Sequence, residues 1–169
     1  VLENAVAGFV ELHIAEKGLP SEKSIRIQFN ESIINGNKLG NLDLIAIPLA
    51  STLNELKQKG INIFYRTVDQ NMLPKEEQIE YFAAIEDITF IGYPSGLYDS
   101  VNKLPIIRQG ITATPIWNQF NGENVFLIDA GVFPGSSGSP VFIYNHGSYP
   151  TKDGIAIGNR LLFIGVISE

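Results

Sequence analysis

The sequence predicts an all-β protein, and three observations carry that prediction. Short runs of β-branched and aromatic residues recur along the chain, several of them alternating apolar with polar side chains. Glycine, proline, asparagine and serine punctuate those runs at close spacing. Only one segment carries both a helix start signal and a helix stop signal. Together these fit an antiparallel barrel or sandwich better than an alternating α/β fold, and the two halves read as two small barrels.

Taken in order, residues 6–14 and 24–29 read as strands, the second alternating strictly from Ser24 to Phe29. Turn chemistry lies between them at 18–21, and Asn35-Gly36-Asn37 is a second turn signal of the hairpin kind. Residues 41–49 form a nearly continuous apolar run with Asp43 embedded at its start, and they predict another strand. Thr52 followed three residues later by Glu55, with Gly60 beyond, marks a short helix over 52–59. Residues 61–65 are strand-like, and the acidic stretch 74–80 reads as a solvated face. Residues 87–96 read as a strand ending in a Gly/Pro turn, and strands follow at 105–113 (with Gly110 inside), 124–129, 140–144 and 161–168, with loops at 118–123 and 145–160. The expected organisation is a first β-unit over 1–50, a connector with the short helix over 51–86, and a second β-unit over 87–169.

Composition narrows the function classes. A chain of 169 residues that is 44% hydrophobic has enough apolar material for one domain or two small packed units. Its net charge is −6 and no basic run occurs, so neither a nucleic acid nor an anionic bilayer is an expected partner. With no cysteine, disulfides, thiolate metal sites and cysteine nucleophiles are excluded. Two histidines without cysteine offer no metal-ligand spacing, and no cofactor is expected. Residues such as Trp117 and the ten phenylalanines are more often core than ligand platform. Compartment is left open by these numbers.

The most informative stretch is 129–140, which holds three glycines, two prolines and three serines. Gly135, Ser136, Ser137 and Gly138 permit a sharp turn that presents a hydroxyl and successive main-chain N–H groups. A phosphate-binding loop requires a lysine after its last glycine, where Ser139-Pro140 stands instead. An α/β-hydrolase elbow centred on Ser137 requires glycine at 139 and a following helix, and neither is present.

The stretch resembles the nucleophile loop of trypsin-like, chymotrypsin-fold serine proteases. Asp129-Ala130 and Pro134-Gly135 make it most similar to the disulfide-free bacterial branch that includes the HtrA-type enzymes. Other blocks follow in the family's order: 41–46 resembles the strand carrying the triad aspartate, 91–97 the turn opening the second barrel, 108–111 the next strand, and 164–168 the strand along which substrate backbones pair. The resemblance implies two six-stranded antiparallel barrels, the first incomplete at its N-terminus and the second lacking its C-terminal end. It implies Ser137 as nucleophile, Asp43 as the carboxylate that orients the base, and the N–H groups of Gly135 and Ser137 as oxyanion hole. Gly131, Phe133, Ser136, Ile167 and Ser168 would contact a peptide or protein substrate. Gly131, six residues before the nucleophile, would favour a small or apolar side chain over Lys or Arg. Asp129 would tie the loop to its neighbours, and Ser139 departs from the family's commoner glycine.

A serine nucleophile needs a base, and neither histidine suits. His13 lies inside a strand, flanked by Leu12 and Ile14, and His146 follows Ser137 in a turn. The family's histidine precedes a valine, so the expectation is that the chain begins just after it, at Val1. Two alternatives stand: an inactive fragment of a serine endopeptidase, or a homologue without the base that acts as a peptide-binding module.

Overall fold

The computed structural model describes residues 7–40 and 44–168. Among the described residues strand accounts for 42% and helix for 16%, all strand pairings are antiparallel, and the class is therefore β. The chain divides into two compact units, Val1–Thr67 and Val68–Glu169, with the division inside the stretch read as a connector.

The first unit is built on a long hairpin of β1 (Ala7–Glu16) and β2 (Leu19–Asn30). Its turn is two residues long. Lys17 and Gly18 both have positive φ, 53° and 79°, which is the type I′ geometry that matches the twist of paired strands. Leu19 and Pro20, read from sequence as part of the turn, already belong to β2. The Asn35-Gly36-Asn37 signal marks no hairpin but the end of a short helix, α1 (Glu31–Gly36). Asn30 caps that helix by accepting from Ile33 N at 3.0 Å, and Asn37 Nδ2 closes it on Ile33 O at 2.8 Å.

Asp43 lies outside the described residues. From Leu44 to Leu49 the predicted strand does not form: among the described residues its one ladder contact is an isolated bridge between Lys38 and Ile45. Pro48 lacks an N–H and Leu49 already serves as N-cap of α2 (Ala50–Gln58), so the run ends before it can pair. Helix α2 starts two residues earlier than Thr52 and has no side-chain cap. It stops as expected at Gly60, φ 77°, with Ile61 N reaching back to Leu56 O at 2.9 Å. The strand-like 61–65 segment meets β1 through the bridge Ile14 to Ile63.

The second unit opens with one turn of 3-10 helix (Gln70–Met72) and α3 (Glu76–Ile79), whose Glu76 and Glu77 face solvent. It then forms an open five-stranded sheet of β3 (Asp87–Gly92), β4 (Ile106–Thr112), β5 (Ile128–Ala130), β6 (Pro140–Asn145) and β9 (Arg160–Val166) in the order β5-β4-β3-β6-β9. The loop expected at 145–160 contains a further hairpin, β7 (Ser148–Thr151) with β8 (Gly154–Ile157). Alternation along β3 and β6 puts Ile88, Phe90, Val141 and Ile143 on one buried face, where they meet Phe82, Leu162 and Ile167. Gly110 lies opposite Ala130, and a Cβ there would stand 2.5 Å from Ala130 Cβ, which explains the glycine inside β4.

One charged pair sits inside this unit. Glu86 and Arg160 are 1% and 8% exposed, and their side chains form an ion pair. Glu86 Oε1 also accepts from Ala83 N at 2.8 Å, and Arg160 Nε donates to Asn145 Oδ1 at 2.9 Å, so the buried charges are hydrogen-bonded as well as paired.

Candidate active site

The 131–139 loop connects β5 to β6 and is pinned at four places. Ser95 N donates to Pro134 O at 2.6 Å, Ser136 N to Phe133 O at 3.0 Å, Ser139 N to Ser136 O at 3.0 Å, and Gly138 N to Ile167 O at 2.7 Å. Gly135 and Gly138 adopt φ of 86° and 83°, a region that glycine enters without steric cost. Gly135 is required on a second count: a Cβ there would lie 3.2 Å from Tyr93 O and 3.3 Å from Ser95 N.

These bonds also orient two amides that they do not use. In a trans peptide C=O and N–H point in opposite directions. Pro134 O is held by Ser95 N, so the N–H of Gly135 is turned away from that contact. Ser136 O is held by Ser139 N, and the N–H of Ser137 is likewise turned to the other side. Among the described residues neither N–H has an acceptor, whereas the amides of Ser136, Gly138 and Ser139 all do. Ser137 and Gly135 are exposed, so a hydroxyl and two uncommitted main-chain donors share the surface of one short loop. Left-handed residues alternating with ordinary ones are how such donors come to line an anion-binding concavity.

Ser136 behaves oppositely. It is 0% exposed, and its Oγ accepts from Arg108 Nη2 and donates to Phe133 O, both at 2.6 Å. Gly131 is exposed and its carbonyl accepts from Arg108 Nη1. Phe133 is 54% exposed. Ile167 is brought to the loop by two main-chain bonds, Gly138 N to its carbonyl and its own N to Ser139 O at 2.9 Å, while its side chain enters the core. Ser168 beside it is exposed. Asp129 faces solvent in β5 opposite Ile111 and makes no side-chain hydrogen bond among the described residues.

His146 is not placed as a base for Ser137. His146 lies beyond the far end of β6, and six strand residues at ~3.3 Å each put it about 20 Å from the loop. His13 belongs to the other unit, where its Nδ1 is 2.8 Å from Ser21 O across the β1–β2 hairpin. Among the described residues no three His, Asp or Glu side chains gather as a group that would hold a metal ion.

Sequence reasoning missed Arg108, although one signal was available: it is the only charged residue of β4, Ile106–Thr112. It also missed Ser95, whose positive φ of 50° and N–H contact anchor the loop from the 93–97 turn. Compared with protein-family models, curated proteins and solved structures, the chain has no match.

Proposed function

We propose that this chain is the catalytic portion of a trypsin-like serine endopeptidase of the chymotrypsin-fold kind, similar to the HtrA-type enzymes. The observation that carries the reading is the amide pattern of the loop. Gly135 and Ser137, assigned to an oxyanion hole from sequence, are the two residues of 135–139 whose N–H groups are uncommitted, and Ser137 between the two kinks is exposed. In this reading the open sheet belongs to the second of two six-stranded barrels, and the β1–β2 hairpin to the first.

The reaction follows from these parts. Ser137 Oγ attacks the carbonyl carbon of a peptide bond while a histidine takes its proton. The carbonyl oxygen becomes negative and is met by the N–H groups of Gly135 and Ser137. Collapse expels the amine, which receives the proton from the imidazolium, and water hydrolyses the remaining acyl-enzyme by the same steps. Asp43 orients the imidazole. The substrate is a peptide or protein, with no role for nucleic acid or membrane, and a small or apolar side chain is preferred beside Gly131.

The placement of His146, remote from the loop, favours one second reading, a peptide-binding homologue without a base. Hydrolysis of casein by the full-length protein separates the two. Turnover that falls by a factor on the order of 10³ or more in Ser137→Ala supports the protease. Casein left intact by the full-length protein contradicts the protease and favours the binding module.

A further inference from the structure

We propose that Arg108 is the positioning residue of this loop: its guanidinium holds the loop in the shape that turns the Gly135 and Ser137 amides outward. Arg108 lies on the inward side of β4, half-buried, with its guanidinium 4.6 Å from the Phe90 ring centroid and 5.5 Å from that of Phe133. Its two terminal nitrogens reach two points of the same loop, the Gly131 carbonyl and the Ser136 hydroxyl. Ser136 Oγ in turn donates a hydrogen bond to Phe133 O, which also accepts from Ser136 N. The chain of contacts therefore runs from a rigid strand, through one cation, to both ends of the segment 131–136.

The consequence for the amides is geometric. Ser136 stands between Gly135 and Ser137, and its side chain is drawn inward by Arg108. With Ser136 fixed, its carbonyl meets Ser139 N and the Ser137 N–H must face the other way. A lysine cannot replace this arrangement in full, because a single ammonium on a flexible stem does not offer two donors in a fixed fork. The guanidinium also places positive charge beneath a loop whose proposed task is to meet an oxyanion. That catalytic consequence rests on the serine-protease reading, whereas the positional one does not.

The test compares wild-type full-length protein with Arg108→Met, Arg108→Lys and Ser136→Ala, using amide NMR with hydrogen exchange alongside kinetics. In Arg108→Met the Gly135 and Ser137 amide resonances should move, and the bonded amides of Ser136, Gly138 and Ser139 should exchange at least about tenfold faster. Core amides at Ile88, Phe90, Val141 and Ile143 should stay within about twofold. Peptide hydrolysis should lose about 10²-fold in kcat with KM changed by less than about threefold, the size expected when one oxyanion donor is misplaced. Labelling of Ser137 by diisopropyl fluorophosphate should slow by the same factor, and Arg108→Lys should fall between. Unmoved loop amides in Arg108→Met overturn the proposal, and a moved loop with unchanged kcat overturns its catalytic consequence. A wild-type protein that diisopropyl fluorophosphate does not label refutes the serine-protease reading, and the amide measurement still decides the role of Arg108. Should Arg108→Met lose the core amides as well, Ser136→Ala decides it, since that change cuts the hydroxyl link without touching the sheet.

Discussion

Gly92, at the end of β3, and Ser139, at the end of the candidate site loop, are packed so closely that their substitutions must be coupled. A Cβ on Gly92 would stand 2.0 Å from Ser139 Oγ and 3.1 Å from Ser139 Cβ, where ordinary contact begins at 3.4 Å. Ser139 is 4% exposed, so its hydroxyl has no open space to enter, and the clash is relieved only by strain in the sheet or the loop. Overpacking of this kind costs about 1–3 kcal/mol, and Gly92→Ala should lose about 2 kcal/mol. Ser139 Oγ also has no hydrogen-bond partner among the described residues, so Ser139→Ala removes a buried hydroxyl that stabilises nothing and should be neutral or slightly stabilising. In that background the offending oxygen is gone and only the 3.1 Å approach remains, which a shift of a few tenths of an ångström relieves. Gly92→Ala should then cost no more than about 0.5 kcal/mol, giving a coupling of roughly 1.5 kcal/mol, well outside the additivity expected of independent sites. Urea unfolding followed by the fluorescence of Trp117, the single tryptophan and a residue of the same unit, reads this cycle directly. Equal losses from Gly92→Ala in both backgrounds would refute the packing account.

Two further outcomes follow from charged groups of the second unit. Arg160→Met leaves the Glu86 carboxylate buried without its cation and should lower the urea-derived stability by about 3–5 kcal/mol. The double change Glu86→Leu with Arg160→Met should recover most of that loss, and a single variant losing under about 1 kcal/mol would contradict the pairing. Asp99 accepts from Asn102 Nδ2 at 2.7 Å, Asn102 N at 2.9 Å and Val101 N at 3.0 Å. The Asn102 side-chain bond first, then the main-chain bonds, hold its carboxyl below the ordinary aspartate value of 3.8. A carboxyl lowered on folding contributes stability that is present above its unfolded value and lost as pH falls through its folded one. A carboxyl-carbon NMR titration should therefore place Asp99 under 3.8, with the 101 and 102 amides moving in the same acidic window. Titration at or above 3.8 would refute it.

Strand existence in the second unit was legible because it depends on alternation alone: Ile88 and Phe90, like Val141 and Ile143, repeat at period two between turn residues, and their burial follows. The elements that escaped have specific causes. Asn35-Gly36-Asn37 suits a hairpin turn and a helix end equally, and the side-chain cap at Asn30 made it the latter. The β7–β8 hairpin was hidden by Pro150 and by strands of four residues, too short to show a period. In β4, Arg108 faces inward while Ile107 is 67% exposed, the reverse of what hydrophobicity suggests. Inward placement there is decided by the carbonyl and hydroxyl of a loop more than twenty residues downstream, which no local pattern encodes. At the site, Ser137 and Gly135 could be read from composition, because a sharp turn with exposed amides needs glycine at fixed places. The inward turn of Ser136 could not, since two adjacent serines are alike in sequence and only their partners distinguish them.

The central claim is that Ser137 is a nucleophile served by the Gly135 and Ser137 amides. Intact mass and peptide mapping of the full-length protein after treatment with diisopropyl fluorophosphate test it most directly. The account predicts one phosphoryl adduct per chain, on Ser137, abolished in Ser137→Ala and retained in Ser136→Ala at a reduced rate. An unmodified protein, or an adduct on any other residue, would contradict it.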